Sequence, residues 1–127
     1  MDILLVDDDQ VFLHEVKDAL ESGGYSVFAA ADGIEGCKIL VEQDIDLILS
    51  DVRMPGFDGV KLYNFVREMT RYKHKRFVFF STFEEDSRRI RDADLERNYY
   101  LSKFTPPTTV VKFVDKLLFG KYAGTWM

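Results

Sequence analysis

The sequence predicts one α/β domain: a doubly wound, five-stranded parallel sheet in (βα)5 order, with helices on both faces. Three observations lead there. The chain has 127 residues, enough for one domain. Its short apolar runs are continuous rather than alternating, as in strands covered on both faces. Stretches of helical periodicity separate the runs, and strands joined through helices lie parallel with right-handed crossovers.

The first strand reads Ile3 to Val6 and stops at Asp7-Asp8-Asp9. Leu13, Val16 and Leu20 then share a helical face, and Gly23-Gly24 ends it. A second strand, Tyr25 to Ala30, precedes a helix with the stripe Ile34, Cys37, Leu40 and Val41. The third strand is Asp46 to Leu49, and Asp58 is placed to cap a helix whose stripe is Leu62, Phe65, Val66 and Met69. After the strand Phe77 to Phe80, the stretch Glu84 to Glu96 has Ile90, Ala93 and Leu95 as its only apolar side chains. So thin a stripe buries little, which makes this the helix most easily shifted. Tyr99 to Leu101 is the fifth strand. The last helix starts at Pro106-Pro107 and presents Val110, Val111, Val114, Leu117 and Leu118. The domain is expected to span residues 1–119, leaving 120–127 as a C-terminal tail or linker stub that carries Tyr122 and Trp126.

Composition removes several classes of function. At 46% hydrophobic and 31% charged, the chain can build a core, which intrinsically disordered sequences cannot. A net charge of −5 opposes direct binding to nucleic acid or to an anionic membrane, both of which need a basic footprint. Cys37 is the sole cysteine, so a disulfide framework and a cysteine zinc site are excluded. Ile3 to Val6 is too short for a signal peptide or a membrane span. A soluble protein of a reducing compartment, the cytoplasm, is expected. His14 and His74 lie away from strand ends and are read as surface residues.

The polar residues at the strand ends carry the chemistry. Asp7-Asp8-Asp9, Ser50-Asp51, Ser81-Thr82 and Ser102-Lys103 close strands one, three, four and five. In a parallel sheet these ends share one edge, the edge where open α/β sheets bind ligands. Taken singly, aspartate and serine are ordinary turn residues. Converging carboxylates, however, repel one another and raise each other's pKa, and Lys103 alone is thin compensation. A divalent cation relieves that repulsion, and an all-oxygen set with water and phosphate suits magnesium. A carboxylate can also attack phosphorus, a reaction that needs mainly positioning and charge neutralisation.

Leu4-Leu5-Val6-Asp7-Asp8-Asp9, the run from Asp51 to Gly59, Ser81, and Tyr100-Leu101-Ser102-Lys103 together resemble the receiver domain of two-component response regulators. The match extends from Met1 to about Leu118 and implies the flavodoxin-like form of the sheet. It implies that Asp51 accepts a phosphoryl group from a sensor histidine kinase or a histidine phosphotransfer protein. Asp7, Asp8, the Asp51 carboxylate and the Arg53 carbonyl would hold Mg2+, with Mn2+ fitting the same donors. Lys103 would contact the phosphoryl oxygens. Ser81 would be the switch hydroxyl and Tyr100 the aromatic that changes rotamer with it. The face around the fourth helix, fifth strand and fifth helix would then control an output domain, a downstream protein or a phosphorylation-dependent homodimer. Catalysis would be limited to self-catalysed phosphotransfer and autodephosphorylation. Asp9 is read as a solvated or capping acid rather than a direct ligand, Met54 as a packing residue, Pro55-Gly56 as a turn, and Gly59 as a residue kept small where the next helix meets the site.

The chain departs from the pattern where Phe104 replaces the proline after Lys103 and where Thr82 replaces a smaller residue after Ser81. In that pattern Arg53 and Phe83 fall near the pocket mouth, where Arg53 either reaches a phosphoryl oxygen or Glu84 or, like Phe83, points to solvent. Arg53 also argues against a haloacid-dehalogenase-like phosphatase, which carries a second acid at that position. A receiver that no longer takes phosphate is the other alternative, opposed by the presence of Asp7, Asp8, Asp51, Ser81 and Lys103 and kept open by Phe104 and Thr82. Arg67, Arg71, Lys73, Lys75 and Arg76 form one basic run, and Arg88, Arg89, Arg91 and Arg97 another. Both are read as solvated faces, the second doubling as a surface for an acidic protein partner.

Overall fold

A computed structural model describes residues 1–92 and 98–120. Strands and helices alternate along it: β1 (Asp2–Val6), α1 (Gln10–Ser22), β2 (Ser26–Ala30), α2 (Gly33–Glu42), β3 (Leu47–Asp51), α3 (Gly59–Glu68), β4 (Arg76–Ser81), α4 (Glu84–Asp92), β5 (Asn98–Ser102) and α5 (Pro107–Phe119). All strand pairs are parallel, in the order β2-β1-β3-β4-β5. The flavodoxin-like doubly wound sheet is therefore present. Its register sets Val6 beside Ser50, Asp51 beside Phe80 and Ser81 beside Ser102, so the polar residues that end the strands emerge in one row.

Strand side chains alternate between two cores. Leu4, Val6, Ile48, Phe77 and Phe79 meet Leu40, Leu62, Tyr63, Val66 and Ile90 from α2, α3 and α4. Ile3, Leu5, Leu47, Leu49, Val78 and Phe80 meet Leu13, Val16, Leu20, Val110, Val114 and Leu117 from α1 and α5. Full burial of each such side chain contributes about 1.5–3 kcal/mol, which explains why β1, β3 and β4 read as unbroken apolar runs. Among the described residues no helix is long and apolar enough to cross a membrane.

The predicted stripe of α2 needs correction. Ile34 and Val41 are 59% and 60% exposed, and the helix turns Gly33, Gly36 and Leu40 inward. A methyl carbon at Gly36 would lie 3.1 Å from Val6 Cγ2, so α2 approaches β1 through its glycine face and leaves branched side chains outside. In α3, Tyr63 joins Leu62 and Val66 in the core, while Phe65 and Met69 are only partly buried. Strands three, four and five run further than their apolar residues, because Ser50-Asp51, Ser81 and Ser102 continue the ladder. Tyr25 precedes β2 and donates its hydroxyl to Asp115. The predicted positions Ala93, Leu95, Glu96, Arg97, Tyr122 and Trp126 lie outside the described residues.

The first basic run is not simply solvated. Arg67 donates to the Tyr63 hydroxyl and the Tyr72 carbonyl, Arg71 to the Gln43 carbonyl, and Lys75 pairs with Asp46 at 3.8 Å. These contacts fasten the α3–β4 connection.

Candidate functional site

The site begins where β1 runs out. Asp9 caps α1, accepting from Val11 N at 3.1 Å and Phe12 N at 3.2 Å, while its own N–H donates to Asp7 Oδ1 at 2.8 Å. Helix capping thus aims the Asp7 carboxylate. Asp51 closes β3, and the chain then leaves through Val52 N–H to Phe80 O at 3.0 Å and a turn with Gly56 at φ 76°. Asp58 caps α3 by accepting from Lys61 N at 2.9 Å. Gly59 is required here: a methyl carbon on it would stand 2.1 Å from the Asp51 carbonyl. Met54 is buried in the core below, as its packing role predicts.

Asp7 and Asp51 are buried, Asp8 is exposed, and one carboxylate oxygen from each lies within 4.8 Å of the others. From the end of β5, Lys103 brings its ammonium to 2.9 Å from Asp7 Oδ2 and 3.5 Å from Asp51 Oδ2. Its hydrogen bond goes to Asp7 Oδ1, at 3.1 Å. Asp7 Oδ2 therefore has a cation beside it but no hydrogen-bond donor aimed at it. An under-satisfied oxygen among carboxylates suits a small hard cation, so the donor set fits magnesium.

Crowding sets the electrostatics of the site. Burial pushes the Asp51 carboxyl up from 3.8 to about 6, with the Asp7 charge adding to it and Lys103 and the Arg53 N–H opposing it. Asp7 is raised mainly by burial, against the Asp9 N–H and Lys103. Burial alone would lower Lys103, but its bond to Asp7 and the charges of Asp7, Asp51 and Asp9 outweigh that, and it ends above its ordinary value.

Ser81 is buried at the end of β4, where it accepts from Phe83 N at 2.9 Å and donates to Asp86 Oδ2 at 2.6 Å. Asp86, in the first turn of α4, has 0% exposure. Arg53 grips it with Nε at 3.0 Å and a terminal nitrogen at 3.1 Å, bonds Glu85 at 2.7 Å, and lays its guanidinium 4.0 Å above the Phe83 ring. The Arg53 main-chain N–H meanwhile donates to Asp51 Oδ1 at 3.3 Å. The side chain expected to reach a phosphoryl oxygen or Glu84 thus pairs with Glu85 and Asp86, where two carboxylates outbid open solvent. Tyr100 packs against the core and brings its hydroxyl to 3.4 Å from the carbonyls of Ser81 and Phe83.

Asp51, Asp7, Asp8, Lys103, Ser81 and Arg53 therefore come together at one sheet edge, with Tyr100 beside Ser81. Sequence reasoning missed Asp86. Its signal was an acid four residues before Ile90, on the same face of α4. His14 lies away from this edge, exposed and 3.3 Å from Asp18. Phe104 is exposed beyond Lys103, in a turn where Ser102 Oγ accepts from Phe104 N at 3.0 Å.

The model of the response regulator receiver domain matches residues 3–115. The chain belongs to that family. This receiver domain is similar to the aerobic respiration control protein ArcA of Escherichia coli K12, at 31% identity over 111 residues. That match covers 87% of this chain and 45% of ArcA, so the chain spans about half of that relative's length. Among solved structures it resembles the chemotaxis protein CheY4 of Vibrio cholerae, with a TM-score of 0.84 and 28% identity over 92% of this chain and 98% of the other. It also resembles the receiver domain of the hybrid histidine kinase CckA, with a TM-score of 0.78 and 30% identity over 93% and 99% of the two chains. A receiver domain is a phosphoacceptor signalling module of two-component systems, a family that works with histidine kinases and output domains.

Proposed function

We propose that Asp51 is the phosphoacceptor, and that phosphorylation there changes the surface formed by α4, β5 and α5. The observation that carries this reading is the convergence of Asp7, Asp8, Asp51 and Lys103 at the carboxyl edge, with Asp51 buried and Lys103 within 3.5 Å of it. An Asp51 oxygen attacks the phosphorus of a phosphohistidine on a kinase or phosphotransfer protein. The P–N bond breaks, and the imidazole leaves with its electron pair and is protonated by solvent. Asp51 reacts as the carboxylate, the form that prevails above about pH 6. Lys103 neutralises phosphoryl oxygens as a point charge and holds Asp7 in place.

Mg2+, or Mn2+ in the same set, would be held by the carboxylates of Asp7, Asp8 and Asp51 and the carbonyl of Arg53. When bound it supplies charge neutralisation at the phosphoryl group. Ser81 acts as the switch hydroxyl and Tyr100 follows it. We assign residues 1–119 to this unit and 120–127 to a tail. Its setting is the cytoplasm, its partners are proteins, and an acidic domain of pI about 5.0 has no direct nucleic acid or membrane role. The surface around α4 serves an output domain, a downstream protein or a second copy.

Incubation with acetyl phosphate and Mg2+, read by intact mass, tests the acceptor. The wild type is expected to gain one phosphoryl group and Asp51→Asn none. Labelling of Asp51→Asn at the wild-type rate would assign the chemistry to another carboxylate.

A further inference from the structure

We propose that Asp86 is a positioning residue: together with Arg53 it latches the Ser81 hydroxyl away from Asp51, and phosphorylation acts on α4 by breaking that latch. The proposal rests on the reading of Asp51 as acceptor and Ser81 as switch. Ser81 has one hydroxyl proton, which serves one strong acceptor at a time. That proton now goes to Asp86 Oδ2 at 2.6 Å, a charge-assisted bond of the stronger kind, shielded from water at a residue with 0% exposure. A phosphoryl oxygen on Asp51 competes for the same proton, so Ser81 gives up one carboxylate as it turns to the other site.

Arg53 is built into both ends of the exchange. Its main-chain N–H rests on Asp51 Oδ1, and its guanidinium holds both Asp86 oxygens. Because Arg53 still compensates the Asp86 charge, release of Ser81 does not strand an unpaired carboxylate. It frees the first turn of α4 to move relative to β4. That helix is otherwise anchored in the core, among its described side chains, by Ile90. The latch also lowers apparent affinity for a phosphoryl group, since the binding-competent state is only a fraction of the population.

Beryllofluoride with saturating Mg2+ is the probe, titrated into wild type, Asp86→Ala and Asp86→Asn, each checked for folding by its amide spectrum. Removal of the Asp86 acceptor is expected to tighten binding about tenfold, the worth of one hydrogen bond to a charged partner. A merely structural role would weaken binding instead. In a Ser81→Ala background the Asp86 substitution should change nothing. Ser81→Ala, which cuts the same bond from the other side, should also speed amide exchange across Glu84 to Ile90 about tenfold in the ligand-free protein. Unchanged or weaker binding in both Asp86 variants, an equal gain without Ser81, or unaltered exchange in Ser81→Ala overturns the latch. A wild type that binds no beryllofluoride would overturn the acceptor reading, and the latch with it.

Discussion

Replacing Asp51 with asparagine is expected to stabilise the metal-free protein at neutral pH, because the native carboxylate is held where it is least comfortable. Its pKa rises from 3.8 to about 6 on folding, burial being the main cause and Asp7 the next. A carboxyl with a higher pKa in the folded chain favours folding while protonated. Stability therefore falls as pH rises from about 4 to about 6 and stays lowered above that range. Two pKa units correspond to about 3 kcal/mol at pH 7.5, and the part already lost at pH 4.5 is about 1 kcal/mol. Asparagine keeps the size and the Oδ1 acceptor for Arg53 N–H, and has no charge to desolvate. Thermal melts in EDTA should show Asp51→Asn melting about 10 °C above wild type at pH 7.5, with a clearly smaller gap at pH 4.5. The attraction of Lys103 is already contained in the net shift, so its loss does not reverse the sign. Equal melting temperatures at pH 7.5, or a gap that does not narrow in acid, would refute this account of the site.

The same geometry leads to two further outcomes. Mg2+ should stabilise the wild type by about 2.7 kcal/mol at a hundredfold excess over its dissociation constant, read as a melting temperature that rises with Mg2+ concentration. Asp8→Ala, at an exposed position, should blunt that response, and an unchanged titration would remove Asp8 from the donor set. Phosphoryl loss from Asp51 should be severalfold faster in Arg53→Ala and in Phe83→Ala. The effects should be non-additive because guanidinium and ring stack at 4.0 Å, and additive or absent effects would show that the pair does not shield the pocket.

Much of this was legible in the sequence because its signals are local. Continuous apolar runs located all five strands, and Asp58 announced its capping role from its place before a helical stripe. The strand-end acids could be gathered because parallel topology places every carboxyl end on one edge. The failures have a common cause. Ile34 and Val41 misled because a periodicity count gives no weight to glycine, and Gly36 is what faces β1. The spacing of Asp86 to Ile90 could mark burial but no role, because that role depends on Arg53, 33 residues away, and on Ser81, whose reach only the fold defines. Arg71 read as solvated for the same reason: its acceptor is the Gln43 carbonyl, 28 residues away, which no spacing reveals.

The kind of anchor each helix uses explains why a charge at Asp51 would move α4 and spare α1, α3 and α5. The helices α1, α3 and α5 are held by buried triplets or better: Leu13, Val16 and Leu20; Leu62, Tyr63 and Val66; Val110, Val114 and Leu117. Such contacts have no direction and no charge, so a phosphoryl group alters them little. The first turn of α4 is held instead by Ser81 and Arg53 on a buried carboxylate. Those bonds are directional, charged and exchangeable, and one partner is the hydroxyl that the proposed chemistry would claim. The thin apolar stripe that makes α4 hard to read in the sequence is therefore the same property that would make it responsive. A phosphoryl group can shift an equilibrium only through contacts that differ between its two states, and the Ser81–Asp86 bond is the contact best placed to differ.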